Sequence, residues 1–215
     1  MTGALLGFAL AATLLILAPG PDTMLVMRNS LRGGRRVGLC TAAGTLTGLL
    51  AWALAATLGL SSLIAASHVG YDVLRFTGAA YLTWLGITCL WHRRKPAALD
   101  DLDATPARQL ARAPVIGLRR AYLNGVISNL CNPKIGAFFV AFLPGFIPAR
   151  SSVREFSFLF GSWFALETGV WLVILVWMVG RGVSWLNRPK IQRRMERLTG
   201  LVLIGFGIRL ATETR

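Results

Sequence analysis

The sequence predicts an all-α integral membrane protein: six transmembrane helices arranged as two inverted three-helix repeats, each with a broken first helix. Three observations predict it. Of the 215 residues, 54% are hydrophobic and 15% charged, where a soluble domain carries about 25% charge. The basic residues crowd into alternate connections between apolar runs. And two helix-breaking strings, Pro19-Gly20-Pro21-Asp22 and Asn132-Pro133-Lys134, lie inside apolar runs, one in each half of the chain.

The elements follow in order. The first apolar run, 3–27, is preceded only by Met1 and Thr2, lacks a basic leader and outlasts the apolar core of a signal peptide, so it is expected to be retained as span 1. Span 2, 38–67, carries Gly44, Gly48, Ala55 and Gly59 on one helical face, where small side chains let two backbones approach. Helix packing is the expected role of that face, gating the alternative. Span 3, 69–91, holds Asp72 three residues before Arg75, read as a solvated pair. Residues 92–118, with Pro96, Pro106, Pro114 and the acidic Asp100, Asp101 and Asp103, read as a cytoplasmic linker between repeats at 1–91 and 119–215. Span 4, 121–149, contains the second break, and span 5, 155–180, contains Glu167. Span 6, 198–212, is the shortest, with Arg209 placed to snorkel to an interface. The other five runs reach the roughly 20 residues that cross a hydrocarbon core as helix. Alternating strand patterns are absent, so backbone groups in lipid must be satisfied within helices.

A net charge of +14 on a soluble chain would suggest nucleic acid. Its distribution assigns it elsewhere. Of 23 basic residues, four lie between spans 1 and 2 (Arg28 to Arg36), seven between spans 3 and 4, and six between spans 5 and 6. This asymmetry places those connections in the cytoplasm and both termini outside. The expected contacts are membrane lipids, with no role for nucleic acid.

An odd number of spans per repeat inverts the second copy, as in many secondary transporters. Shifted by 112 positions, Pro21-Asp22 falls on Pro133-Lys134, Leu31 on Leu143 and Gly33 on Gly145. At a larger shift Thr77-Gly78 falls on Thr199-Gly200, and Leu85-Gly86-Ile87 on Phe206-Gly207-Ile208.

The breaks mark the candidate site. Proline within a helix removes a hydrogen bond and clashes with the preceding turn, and the freed backbone groups must face protein or a wet cavity. Pro19, Gly20, Pro21 and Asp22 form one break; Asn132, Pro133 and Lys134 form the other. A charge at the centre of a span costs roughly 2.5–3.5 kcal/mol, so Asp22 and Lys134 need a purpose. Two readings stay open: a structural ion pair, or a cradle in which Asp22 takes the ammonium and Lys134 the carboxylate of a zwitterion. Glu167 is a third intramembrane charge. Apolar surroundings penalise a charged carboxylate, which makes Asp22 first, and Glu167 second, a candidate for proton coupling; pairing of Glu167 with Lys134 is the alternative. Asn124, Ser128, Asn129 and Asn132 line part of span 4, and the asparagines either donate to a cargo carboxylate or repair the backbone opened by Pro133.

Other features carry no site. His68 and His92 bracket span 3, roughly 36 Å apart along a helix, too far for a shared metal. Cys40, Cys89 and Cys131 show neither disulfide nor zinc spacing and are expected to be small buried hydrophobes. Gly205-x-Gly207 lacks a third glycine and a preceding strand, so no dinucleotide cofactor is implied. The tryptophans are assigned to interfacial anchoring and packing.

These strings resemble the LysE/RhtB family of amino-acid exporters. The resemblance rests on Pro19-Gly20-Pro21-Asp22 with Arg28, Arg32-Gly33-Gly34-Arg35-Arg36 and Gly38, on Gly78-Ala79-Ala80-Tyr81-Leu82 with Leu85-Gly86, on Asn132-Pro133-Lys134 with Phe138-Phe139 and Phe142-Leu143-Pro144, and on Leu198-Thr199-Gly200 to Leu210. It implies a secondary active exporter, not an enzyme, carrying a small amino acid or derivative out of a bacterial cytoplasm through the inner membrane in exchange for protons. A second copy of the chain is left open as a partner, and no cofactor or metal is implied. The family often carries Asn where this chain has Asp22. The alternative is an exporter of a metal or other small cation, for which scattered carboxylates and an intramembrane lysine make a poor cage. A thiol-disulfide carrier would need a cysteine beside each break, and the position matching Cys131 is Pro19.

Overall fold

The computed structural model describes residues 2–17, 20–66, 68–91, 116–147, 151–181 and 189–212. Pro19 and most of the expected linker, 92–115, lie outside the described residues. The described elements are helical throughout: α1 (Thr2–Leu17), α2 (Pro21–Ala66), α3 (His68–Trp91), α4 (Leu118–Leu130), α5 (Pro133–Ala137), α6 (Val153–Gly180) and α7 (Pro189–Thr212). A π-helical turn, Phe138–Phe142, and a 3-10 turn, Leu143–Phe146, extend α5.

Among the described residues, 21–59 and Val153–Gly180 are each long and apolar enough to cross a membrane, and the pair Leu118–Leu130 and Pro133–Phe146, bent by 47°, makes a third such segment. α1 is a shorter apolar helix. α3 and α7 are of membrane length at 24 residues each, but α7 opens with a basic, polar segment.

The connection expected between spans 1 and 2 is itself helical, and this differs from the sequence reading. α2 is interrupted only at Gly34, whose φ of 73° and ψ of −173° lie in a region open essentially to glycine alone. The chain folds back there. Asn29 Nδ2 donates to Thr41 Oγ1 at 3.0 Å, although twelve residues of straight helix would separate them by about 18 Å. A Cβ on Gly38 would collide with Ser30 Oγ, so the two arms, 21–33 and 35–66, touch near the turn.

The long arm of α2 packs between α4 and α6. A Cβ on Gly44 would meet the Tyr122 carbonyl, and one on Gly125 the Thr41 carbonyl. Gly48 faces Asn129, whereas Gly59 meets nothing within 4 Å. Small residues therefore set the α2–α4 spacing in the first part of the expected stripe and not at its end. α3 packs on α7 in the same manner. Gly86 abuts Gly200 and Ile204, and Gly207 abuts Ala79 and Thr83.

Two apolar clusters fill the bundle. The larger is aromatic, built on Phe8, Phe138, Phe139, Phe142, Phe146, Phe160 and Phe164. Phe8 stacks on Phe160 at 4.3 Å between centroids, and Phe138 on Phe164 at 4.4 Å. The smaller is aliphatic: Val26, Met27, Ala42, Leu172, Leu175, Val176 and Val179. Trp171 packs against both.

Smaller expectations resolve as follows. Asp72 and Arg75 pair at 3.8 Å, with Asp72 exposed and Arg75 largely covered, so the pair is only half solvated. Arg209 is exposed and lies over the Phe146 ring at 4.8 Å. Cys131 corrects the expectation of three buried cysteines. It is exposed, because it occupies the C-terminal cap of α4, where the chain turns out of helical register, while Cys40 and Cys89 are partly buried.

Candidate functional site

Each break is a helix end followed by a proline-initiated restart. α4 ends at Cys131, Asn132 is extended (φ −80°, ψ 107°), and Pro133 begins α5. Proline disfavours helical geometry in the residue before it and suits the first helical position. Having no N–H, Pro133 leaves the carbonyl four residues back, that of Asn129, without its helical donor. That carbonyl is satisfied by the Asn132 N–H at 3.0 Å and the Trp52 Nε1–H at 3.4 Å. Asn132 Oδ1 in turn accepts the Lys134 N–H at 3.1 Å, capping the new helix. At the first break Pro21 begins α2, the Met24 N–H donates to the Gly20 carbonyl at 3.1 Å, and Asp22 sits in the first turn. A carboxylate there is favoured by the positive end of the helix dipole.

The two breaks meet, and each supplies the charge that the other half needs. Asp22, 7% exposed, accepts three hydrogen bonds from the second break. Ser128 donates to Oδ1 at 2.6 Å, while Asn129 Nδ2 and Asn132 Nδ2 donate to Oδ2 at 3.0 and 2.8 Å. Lys134 Nζ donates to the Leu15 carbonyl at 3.1 Å, in the last turn of α1, where carbonyls lack helical partners. Lys134 Nζ also faces Gly20, at 3.2 Å from where a Cβ would stand. Of the two roles the sequence left open, backbone repair is made by Asn132, while Asn129 and Asn132 both bind a carboxylate. The carboxylate is the protein's own.

A cavity of about 30 Å³ lies where the breaks meet, room for about one or two waters. Among its lining residues are Gly20, Asp22, Asn129, Asn132 and Lys134, with the apolar Leu15, Ile16, Leu49, Ile135, Phe164 and Leu172. The breaks therefore share one small, partly polar space at the boundary between the aromatic and aliphatic clusters. Glu167 is not among the lining residues. Its carboxylate accepts from Trp163 Nε1 at 2.7 Å and from Thr13 Oγ1 at 3.4 Å, tying α6 to α1.

Two further lining residues lie on α6: Thr168, given no role from sequence, and Trp171, assigned there with the other tryptophans to anchoring and packing. Thr168 Oγ1, Trp171 Nε1 and Asn129 Oδ1 are buried and have no hydrogen-bond partner among the described residues. A buried polar atom left so costs about 1–3 kcal/mol. One signal pointed to Thr168: with Phe164, Leu172 and Leu175 it recurs at spacings of three and four on the buried face of α6.

The cavity offers a single carboxylate, and among the described residues no group of three His, Cys, Asp or Glu side chains converges. What the arrangement provides is one acid, one base, neutral donors and acceptors, and an apolar remainder.

Comparison with known proteins agrees with the architecture. The LysE type translocator family matches residues 13–214. The chain is 33% identical to the uncharacterized membrane protein YrhP of Bacillus subtilis over 205 residues, covering 95% of this chain and 97% of that one. It is 31% identical to a leucine efflux protein of Klebsiella pneumoniae (96% and 94% covered) and 28% identical to a homoserine/homoserine lactone efflux protein of Salmonella typhi (95% and 94%). No solved structure shows a significant match. With nearly the whole chain matched and membrane-length helices in the fold, the protein belongs to the LysE type translocator family: it is a multi-pass membrane transporter and not an enzyme.

Proposed function

We propose that the protein is a secondary active exporter that carries a small amino acid or derivative out of a bacterial cytoplasm in exchange for protons. The observation that carries this reading is the meeting of the two broken helices at one cavity lined by Asp22 and Lys134. The names of relatives, leucine efflux and homoserine/homoserine lactone efflux proteins, support the same cargo class.

In this reading six spans form two inverted repeats, with residues 2–33, 35–66 and 68–91 facing 118–147, 153–180 and 189–212. The glycine contacts of α3 and α7 support the inversion. Exchanging the repeats at a shift of 121 carries the contacts of Gly86 with Gly200 and Ile204 onto those of Gly207 with Ala79 and Thr83. Two strands of sequence related this way pack through the same surface twice.

A cavity of about 30 Å³ is far below the roughly 300 Å³ of a ligand-holding site, so the described conformation is a closed one. Cargo entry requires the breaks to part, and Asp22 and Lys134 must then exchange their internal partners for those of the cargo. Protonation of Asp22 acts on the same contacts. Ser128, at 2.6 Å, can reverse its hydroxyl and accept from a protonated carboxyl, whereas the Nδ2 groups that Asn129 and Asn132 present to Asp22 can only donate. Losing the carboxylate's charge thus weakens the hold of α2 on α4 and α5.

Counterflow of labelled leucine, threonine, homoserine and lysine in proteoliposomes, with and without a pH gradient, tests the proposal. Gradient-driven exchange of at least one of them is expected. Exchange of none, or exchange indifferent to the gradient, overturns it. Asp22→Asn is expected to abolish the gradient dependence of whatever exchange it keeps; unchanged dependence removes Asp22 as the proton carrier.

A further inference from the structure

We infer that Trp171 and Thr168, on α6, hold the carboxylate end of the cargo, opposite an ammonium site formed by Asp22 and Asn129, and that the cargo is an α-amino acid with an uncharged aliphatic side chain. The inference rests on the exporter reading above and deepens it.

Threonines buried in these helices ordinarily discharge their hydroxyls on their own backbone. Thr41 donates to the Val37 carbonyl, Thr45 to Thr41, Thr57 to Ala53 and Thr83 to Ala79, each four residues back at 2.7–3.1 Å. Thr168 is equally buried, at 8% exposed, yet its hydroxyl has no partner among the described residues. The Phe164 carbonyl, four residues back, offers the same internal acceptor, and unlike Ser157, whose buried hydroxyl is also unpartnered among the described residues, Thr168 forgoes it at the cavity wall. Trp171, one turn further along the same face, presents the same situation with a group that can only donate. Its ring is wedged between the aromatic and aliphatic clusters, so the indole N–H is held on a fixed body.

Both residues line the cavity into which Asp22 and Asn129 also face, and Asn129 Oδ1 is an unpartnered atom that can only accept. The walls are therefore polarised. α6 contributes unpartnered donors, suited to a carboxylate, while α2 and α4 contribute a carboxylate and an unpartnered acceptor, suited to an ammonium. Lys134, which donates to the Leu15 carbonyl in this closed conformation, adds a positive charge to the carboxylate end once the breaks part. The rest of the lining is uncharged: Leu15, Ile16, Leu49, Ile135, Phe164 and Leu172 are apolar, and Thr23, Thr45 and Asn132 are neutral. It holds no second acid for a side-chain ammonium or guanidinium, and burying such a group unpaired is strongly unfavourable.

The test uses the full-length protein in proteoliposomes, with leucine, leucinamide and lysine as competing substrates in counterflow. Trp171→Phe keeps an aromatic ring but removes the N–H together with the indole's five-membered ring; Thr168→Val keeps the shape and removes the hydroxyl. Each is expected to raise the leucine KM about tenfold with the maximal rate within twofold, and to erase the preference for leucine over leucinamide. A merely structural role would lower the rate and leave that preference intact. If wild type exchanges leucine and Thr168→Val keeps both its KM and its preference, this inference falls and the exporter reading stands; Thr168→Val decides alone should Trp171→Phe not insert. Preference of wild type for lysine over leucine overturns the uncharged-cargo assignment. Wild type that exchanges no amino acid overturns the exporter reading, and this inference with it.

Discussion

At Asn132 one amide serves both repeats: Oδ1 caps the helix that restarts at Pro133, and Nδ2 donates to the Asp22 carboxylate at 2.8 Å. Loss of a cap costs about 1 kcal/mol and loss of a hydrogen bond to a charged group about 1.5–3 kcal/mol. Asn132→Ala is therefore expected to destabilise the protein by about 2–4 kcal/mol, read from its unfolding midpoint in mixed micelles. Asn132→Asp keeps the cap but sets a second carboxylate against the first, and like charges at such a distance disfavour one another. It should fall below Asn132→Ala at neutral pH and recover in acid as one carboxyl protonates; equal midpoints at both pH values would remove the Asp22 contact from the account.

Helix placement depends on glycines whose roles differ, and the differences can be measured. Gly34 turns α2 back on itself with φ at 73°. Gly34→Ala is expected to cost about 1–3 kcal/mol from backbone strain alone, since nothing lies within 4 Å of its would-be Cβ. Gly44 and Gly125 have ordinary helical backbones but face the carbonyls of Tyr122 and Thr41. Gly44→Ala and Gly125→Ala should cost about 1–3 kcal/mol by forcing α2 and α4 apart. Gly59→Ala, in open space on the same expected stripe, should be neutral or stabilising, because alanine favours helix by about 1 kcal/mol over glycine. If Gly44→Ala matched Gly59→Ala in an unfolding series, the close α2–α4 approach would be wrong.

For the molecule as a whole, the bias of basic residues toward alternate connections predicts both termini outside the cytoplasmic membrane. Alkaline phosphatase fused after Arg215 should be active and a fluorescent protein fused there dark; the reverse would invert the topology and the transport direction argued from it. Much of this architecture was legible in the sequence, since the bilayer leaves few options. Apolar length and paired prolines mark the membrane-length segments and where their helices are interrupted, because lipid penalises every exposed backbone group and every stray charge. The convergence of Asp22 and Lys134 was readable for the same reason. Their actual partners were not. Sequence allowed an ion pair or a zwitterion cradle, and only packing brought Ser128, Asn129 and Asn132 onto Asp22 and the Leu15 carbonyl onto Lys134. Glu167 ranked second to Asp22 as an acid in an apolar run, and the rotation of α6 turns it toward Thr13 on α1 while turning Thr168 and Trp171 to the cavity. The sequence by itself determined the membrane-spanning helices and their two interruptions, through local rules of hydropathy and proline. Which face of each helix meets the cavity was decided by the tertiary structure alone, because a helix's rotation is set by close contacts with neighbours far away in the chain.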